Sequence, residues 1–163
     1  MQAQIACRVP RMTQIVLGDL TDARILDLLS DHLTRARAET APGSAHALDA
    51  SGLEAHDVSF WAAWENDTLL GVGALKRLST DHGEVKSMYT SPDARRLGVG
   101  SAMLMHIVEQ ARAAGMLRLS LETGSWDYFE PARAFYRRHG FAECGPFADY
   151  VLDPNSVFMT MEL

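Results

Sequence analysis

Short runs of apolar residues, separated by polar and turn-forming positions, fill the first half of the chain. Met12–Leu17 is the first such run and predicts a β-strand. Asp22 then stands where a helix N-cap would, and the apolar positions that follow it recur at helical spacing: Ile25, Leu26, Leu29 and Leu33. Thr40–Ser51 is rich in small residues, which predicts a loop with one helical turn near Leu53.

Three strands joined by tight turns are predicted next. Val58–Trp64 and Leu69–Leu78 flank Asn66-Asp67, which favours a hairpin turn. His82-Gly83 predicts a second turn, and Glu84–Thr90 predicts the third strand. Strict alternation along this strand places Glu84, Lys86, Met88 and Thr90 on one face and Val85, Ser87 and Tyr89 on the other.

A helix with a clear apolar stripe opens the second half of the chain. The stripe consists of Leu104, Ile107, Val108 and Ala111. Gly115 is expected to end this helix, because glycine adopts the left-handed conformation that closes a helix at low cost. Leu117–Leu121 alternates and predicts the strand that follows.

The C-terminal part predicts one more helix and two more strands. Pro131 fits the first turn of a helix and Gly140 its end. Phe141–Cys144 and Val157–Met161 predict the last two strands. The order β-α-β-β-β-α-β-α-β-β predicts an α/β mixture around a largely antiparallel sheet.

Composition limits the possible functions. The 163 residues fit one domain, which we place at residues 12–163 behind an N-terminal extension at residues 1–11. A net charge of -6 disfavours broad nucleic-acid binding, because such binding needs a basic surface. No window approaches the ~18 apolar residues of a membrane span, and the first ten residues lack the apolar core of a signal peptide.

The cysteines do not indicate a disulfide scaffold, and the histidines do not indicate a metal centre. Cys7 and Cys144 form no CxxC pair, which favours a reducing compartment, so we expect a cytoplasmic protein. The six histidines are scattered and form no HExxH pattern, so no metal site is predicted. Dimers are the commonest assembly, and a homodimer is an open possibility.

The segment Arg95-x-x-Gly98-x-Gly100 lies between a predicted strand and a predicted helix. Glycines allow the backbone N–H groups of such a turn to converge, and the helix start adds unpaired amides and a positive dipole end. Arg95 and Arg96 add formal positive charge. Together these features predict a cradle for a pyrophosphate inside an acidic protein.

Other phosphate-binding loops fit less well. A Walker loop ends in Gly-Lys-Ser/Thr, whereas Gly100 is followed here by Ser101 and an alanine. A dinucleotide loop needs a third glycine where Met103 stands, although Glu122 follows at the distance of a ribose-binding acid. A nucleotide-binding module therefore stays a weaker alternative.

Two motifs in order resemble the GCN5-related N-acetyltransferase (GNAT) family. The first is the segment 87–100, Ser-Met-Tyr-Thr-Ser-Pro-Asp-Ala-Arg-Arg-Leu-Gly-Val-Gly, and the second is Ala132-x-x-Phe135-Tyr136-x-x-x-Gly140-Phe141. The resemblance covers about residues 12–163 and extends to a bacterial subgroup of acetyltransferases. It implies a mixed, mostly antiparallel sheet of six to seven strands with about four helices. It also implies a splay between the fourth and fifth strands.

The resemblance implies acetyl-CoA as the acyl donor. The pantetheine arm would lie in the splay beside a bulge in the strand Glu84–Thr90, where backbone N–H groups near Met88 would bind the thioester oxygen. The implied cofactor-binding residues are Met88, Tyr89, Thr90, Arg95, Arg96, Leu97, Gly98, Val99, Gly100 and Ser101. One departure is Phe129, which stands where the family often has asparagine.

The resemblance also nominates catalytic residues. Tyr136 matches the family tyrosine near the cofactor sulfur and would act as general acid. Glu84 matches a position where some members carry the base, although it could also be a strand-start acid paired with Lys86. Glu122 and His82 are alternatives for the base.

The acceptor site is sought in three places. These are the loop Thr40–Ser51, the loop Phe147–Ser156 and the aromatic cluster just before the last predicted helix. Candidate acceptor contacts are Trp126, Tyr128, Phe129 and Asp149.

The resulting hypothesis is that the chain is an N-acyltransferase. An amine would attack acetyl-CoA directly in a ternary complex. Cys144 has no recognisable partner for covalent catalysis. A non-catalytic acyl-CoA sensor is the main alternative.

Overall fold

The computed structural model describes residues 12–163, so the predicted N-terminal extension at residues 1–11 and Cys7 lie outside the described residues. The strands are β1 Gln14–Leu17, β2 Val58–Glu65, β3 Thr68–Arg77, β4 His82–Thr90, β5 Arg118–Gly124, β6 Ala142–Cys144 and β7 Ser156–Glu162. The helices are α1 Ala23–Ala38, α2 Ala50–Leu53, α3 Val99–Ala113 and α4 Glu130–Arg138. Short 3₁₀ turns occur at Pro92–Ala94 and Asp127–Phe129.

The described strands form one sheet in the order β1-β2-β3-β4-β5-β7-β6. Every neighbouring pair is antiparallel except β4 and β5, which are parallel. This arrangement confirms the predicted α/β fold with a mostly antiparallel sheet, and it makes the β4–β5 junction the unusual place in the sheet.

Helices cover both faces of the sheet. On one face, α3 packs against β3 and β4, and it shares a buried cluster with α4, β5 and β7 that includes Leu104, Ile107 and Leu121. On the other face, α1 and α2 pack against β2 and β3 through Ile25 and Phe60. The apolar stripe predicted for α3 is therefore confirmed.

The helix ends follow the sequence signals. The Asp22 side chain accepts a hydrogen bond from the N–H of Arg24 and so caps α1. Gly115 and Gly140 follow α3 and α4 with φ values of 82° and 97°. The prediction for α1 was wrong in one detail, because Leu26 is exposed and Leu28 is buried in its place.

The predicted turn at His82-Gly83 was also wrong. Both residues belong to β4, and the turn lies before them, where the N–H groups of Leu78 and Ser79 donate to the carbonyl of His82. The hairpin loop therefore consists of residues 78–81, just before the predicted turn.

The predicted alternation along β4 fails after Lys86. Ser87 has a φ of 53°, and the pairing with β3 shifts register there, so that Ala74 opposes Lys86 while Val72 opposes Tyr89. This is a β-bulge, and it reverses the faces of the residues beyond it. Tyr89 consequently packs on the α1 side with Val72, and Met88 packs on the α3 side.

Candidate active site

The strands β4 and β5 are paired only at their start. Their register runs from His82 opposite Arg118 to Glu84 opposite Ser120 and then stops. The bulge at Ser87 follows immediately, and a cavity of about 350 Å³ lies where the strands separate. Residues of α1, the loop after it, β4, the end of β5 and α4 line this cavity.

The segment between β4 and α3 carries the predicted phosphate cradle. Gly98 is the N-cap of α3 with a φ of 81°, and no side chain caps the first turn of the helix. Arg96 also has a positive φ, of 63°, and Arg95 lines the cavity with its guanidinium 5.8 Å from the centroid of the Tyr89 ring. The uncapped amides and the two arginines give this segment hydrogen-bond donors and positive charge, which suit a diphosphate, and Arg95 connects it to the cavity.

Ser101 lies in the first turn of α3 and is tied to α4. Its hydroxyl is 3.0 Å from Nε2 of His139, and Nδ1 of the same ring is 2.8 Å from the carbonyl oxygen of Phe135. A carbonyl only accepts, so Nδ1 carries a hydrogen, and in the neutral ring Nε2 accepts from Ser101. The helix that supplies Tyr136 therefore orients a hydroxyl of the cradle.

Glu84 is a buried carboxylate with two hydrogen-bond partners on one oxygen. It is 3% exposed, and its Oε1 accepts from the hydroxyl of Tyr150 at 2.5 Å and from Nζ of Lys86 at 3.1 Å. Lys86 also donates to the Tyr150 oxygen at 3.0 Å. The expected pairing of Glu84 with Lys86 is thus present, but Tyr150 turns it into a closed triangle inside the protein.

Glu122 lies near this triangle, and its pKa is shifted. The parallel register, continued two residues past its last pair, places Glu122 opposite Lys86 where the strands part. Burial raises the pKa of Glu122 to about 7, against the opposing effects of the Ser156 hydroxyl and Lys86. A carboxyl in the cavity wall with such a pKa can accept a proton near neutral pH.

Tyr136 projects from α4 into the same cavity. It is 8% exposed, and burial raises its pKa well above the ordinary value. Its ring packs edge-on against Phe135 and Phe141. A tyrosine held in this way stays protonated near neutral pH, so that its hydroxyl can donate a hydrogen bond.

The structure separates His82 from the other candidate bases. His82 lines a different cavity, at the edge formed by the start of β5 and the end of β7. Its Nε2 is 2.7 Å from the Ser120 hydroxyl, and burial lowers its pKa. These contacts serve the paired part of the sheet, and the geometry does not bring His82 to the splay.

Two of the four candidate acceptor contacts line the cavity and two do not. Tyr128 and Phe129 line it, and their rings meet edge-on with the ring centroids 4.9 Å apart. Trp126 is 42% exposed and donates to the side chain of Asn155, outside the cavity. Asp149 is exposed and is likewise absent from the cavity lining.

Sequence reasoning missed several residues that line the cavity or contact its lining. Tyr150 lay inside a loop already considered for the acceptor, but nothing in its local sequence predicted the contact with Glu84 across 66 positions. Thr40 and Ser87 bring buried hydroxyls that have no hydrogen-bond partner among the described residues. His32, which also lines the cavity, has its pKa lowered by burial to about 4 and is neutral at pH 7.

Comparison with known proteins identifies the family of the chain. Residues 23–141 match the model of the Acetyltransferase (GNAT) family. The chain belongs to the GNAT acetyltransferase family. It is 50% identical over 149 residues to the uncharacterized N-acetyltransferase YsnE of Bacillus subtilis, covering 91% of this chain and 99% of that protein. It is 44% identical to the uncharacterized N-acetyltransferase YedL of Escherichia coli, covering 93% and 96%.

A third relative bears a more specific name. The IAA acetyltransferase of Azospirillum brasilense is 38% identical over 158 residues. The match covers 95% of this chain and 100% of that protein. The family and these relatives make this GNAT protein an N-acetyltransferase.

Solved GNAT structures share the fold. A protein of Klebsiella pneumoniae assigned as an acyl-CoA N-acyltransferase superposes with a TM-score of 0.74 at 30% identity, covering 94% of this chain and 99% of that one. The PaiA N-acetyltransferase of Thermoplasma acidophilum, solved in complex with coenzyme A, gives a TM-score of 0.73 at 16% identity, covering 93% and 99%. The likeness to the second protein supports the fold.

Residues 12–163 contain neither a membrane-spanning helix nor a cluster of metal-binding side chains. None of the helices in this range is long and apolar enough to cross a bilayer. Within the same range, no group of three or more histidine, cysteine or acidic residues could hold a metal ion.

Proposed function

We propose that this GNAT protein transfers the acetyl group of acetyl-CoA directly to the amine of a small-molecule acceptor within a ternary complex. The observation that carries the proposal is the shared cavity at the splay of β4 and β5. Glu122 approaches it from β5 and Tyr136 from α4, so a base and an acid border the same space.

The donor would enter from the α3 side. Its diphosphate would meet the uncapped first turn of α3, where Gly98 has no Cβ to obstruct it, together with Arg95 and Arg96. Its pantetheine arm would follow β4 past the bulge, where β5 no longer pairs with the strand. Backbone N–H groups near Met88 would then stabilise the thioester oxygen as it gains charge.

Glu122 would act as the general base. An alkylammonium has a pKa about three units above neutral, so an acceptor needs help to lose its proton. The pKa of Glu122, raised to about 7, lets it take that proton near neutral pH. Glu84 is less suited, because both Tyr150 and Lys86 already hold its Oε1.

The remaining steps form the amide and release coenzyme A. The amine nitrogen bonds to the thioester carbon, and the carbon–sulfur bond breaks as the carbonyl reforms. Tyr136 would donate its hydroxyl proton toward the leaving thiolate, giving the amide and free coenzyme A. The nitrogen of the tetrahedral adduct still carries a second proton to be lost, which would pass through solvent to the Tyr136 phenolate. Glu122 would release its proton to solvent, so that one proton leaves overall.

Relatives support a small acceptor. One carries the name IAA acetyltransferase, and the amino-acid acetyltransferases of Neisseria meningitidis match 45% of this chain at 37% identity, over only 18% of their own length. A cavity of about 350 Å³, shared with the end of the cofactor arm, suits a small molecule better than a folded protein surface.

Two measurements test the proposal. Acetyl-CoA is expected to raise the melting temperature, because a ligand that binds only the folded state stabilises it, whereas NAD and ATP should have little effect. Thiol release from acetyl-CoA is then followed against a library of amines. Binding of acetyl-CoA without thiol release for any amine would favour a sensor, and stabilisation by NAD or ATP alone would favour a nucleotide-binding module.

A further inference from the structure

Lys86 has hydrogen-bonding capacity that its protein contacts leave unused. An ammonium group has three donors, and the described contacts of Lys86 use two of them, on Glu84 and on Tyr150. The side chain is only 9% exposed and lines the cavity. A buried cation with a spare donor facing a substrate cavity is suited to an anionic group of the substrate.

Two hydroxyls in the same cavity wall also lack partners. Thr40, at the end of α1, and Ser87, at the bulge, are each 7% exposed, and neither hydroxyl has a hydrogen-bond partner among the described residues. Buried polar atoms are normally satisfied, so unpartnered ones in a substrate cavity point to a polar ligand. Thr40 and Ser87 approach the cavity from different elements, which makes a shared packing defect a poor explanation.

The position of Lys86 relative to Glu122 suggests how such a ligand would lie. Both residues line the cavity two positions beyond the last paired residues of β4 and β5, and the positive charge of Lys86 acts on the pKa of Glu122. An amine that gives its proton to Glu122 therefore has Lys86 within reach of a neighbouring group. A carboxylate one or two atoms from that amine would be placed toward the Lys86 ammonium.

We infer that Lys86 binds a carboxylate on the acceptor, so that the acceptor is an amino acid or another amine with a carboxylate close to its amino group. This inference rests on the proposed acetyl transfer. Lys86 becomes a specificity-determining residue, while Glu84 and Tyr150 hold its ammonium in place.

The test compares matched acceptors in the thiol-release assay with acetyl-CoA. Each amino acid is assayed beside its amide and its decarboxylated amine. Hydrogen bonds to charged groups are worth about 1.5–3 kcal/mol, so kcat/KM should favour the acid by about 10- to 100-fold. Acids that react no better than their amides would overturn the inference and leave the acetyltransferase intact, whereas no reaction with any amine would overturn the proposed function.

Variants test the residue itself. K86M keeps the length and apolar stem of the side chain and should remove most of the preference for acids, while K86R should retain part of it. K76M is the matched control, because Lys76 is the other lysine of the chain and does not line the cavity. A preference for acids that survives in K86M would overturn the assignment to Lys86.

A folding defect would be recognised and avoided. K86M leaves the buried Glu84 without its cation, so melting temperatures are recorded for every variant. The double variant K86M/E84Q removes both charges and keeps the cavity shape. It should fold like the native protein and show the same loss of preference as K86M.

Discussion

The ring of Phe129 lies directly against the backbone of Gly124. A Cβ added to this glycine would be 2.1 Å from Cδ2 and 2.8 Å from Cγ of the ring, which is far inside van der Waals contact. Gly124 ends β5, and its carbonyl accepts from Nη1 of the buried Arg133 at 2.6 Å. The glycine is thus held on one side by an arginine and on the other by an aromatic ring of the cavity wall.

Gly124→Ala should therefore destabilise the protein and disturb the cavity. Overpacking of this kind costs about 1–3 kcal/mol, and each kcal/mol lowers the melting temperature by about 2–4 °C in a protein of this size. The displaced Phe129 ring should also raise KM for the acceptor. Gly145→Ala is the control, because a Cβ there meets nothing within 4 Å. Differential scanning fluorimetry and thiol-release kinetics measure both effects.

The double variant F129A/G124A separates steric conflict from a backbone effect. If the clash with the ring is the cause, removing the ring should recover part of the stability lost in Gly124→Ala. A double variant whose loss of stability relative to the native protein equals the sum of the two single losses would contradict this explanation.

Patterns local to one element predicted much of the fold, because they depend on spacing alone. The α3 stripe, the Asp22 cap and the glycines after α3 and α4 are examples. The bulge at Ser87 could not be derived from alternation, since the residues around it alternate regularly in the sequence. Only the resemblance to the GNAT family placed an irregularity there, and the register with β3 located it.

Candidate chemistry was harder to derive because it depends on contacts between distant elements. The pairing of Glu84 with Lys86 follows from two positions on one strand, but the contribution of Tyr150 arises 66 residues away. Likewise, Glu122 and His82 looked equivalent as bases in the sequence. The end of the β4–β5 pairing separates them, leaving His82 in the paired region and Glu122 at the splay.

Tyr136→Phe should lower turnover more than cofactor affinity. The variant keeps the ring that packs on Phe135 and Phe141 and removes only the hydroxyl. Loss of a general acid is expected to reduce kcat by about 10²-fold, with less effect where the thiolate leaves readily. Calorimetry with coenzyme A should give a dissociation constant close to the native one. Native turnover in Tyr136→Phe would remove this residue from the mechanism.

Ser101 and His139 should act as a unit in cofactor binding. Ser101→Ala removes a hydroxyl from the first turn of α3 and should weaken coenzyme A binding by about 0.5–1.5 kcal/mol without changing kcat. His139→Phe keeps a ring against Phe135 and removes the hydrogen bond that orients Ser101. The double variant should bind no more weakly than Ser101→Ala, because the second change then has no hydroxyl to orient. Additive losses in calorimetry would show that the two residues act independently.

The pH dependence of kcat should identify the base. The reactive form of Glu122 is the carboxylate, so activity should rise with pH through about 7 and Glu122→Gln should abolish this rise. Glu84→Gln should keep the rise but move it to lower pH, because the Glu84 charge raises the pKa of Glu122. Loss of the rise in Glu84→Gln, with its retention in Glu122→Gln, would assign the base to Glu84.

The same carboxyl should make stability fall as pH rises. The pKa of Glu122 is about 7 in the folded protein and 4.5 in the reference state, so the folded state binds more protons between these values. Stability contributed by the protonated carboxyl is present below pH 4.5 and is lost progressively up to about pH 7. Glu122→Gln mimics the protonated form at every pH and should melt near the native temperature at pH 5 but above it at pH 8. A difference between the two proteins that does not change with pH would mean that Glu122 ionises normally, and it would remove the reason for preferring Glu122 as the base.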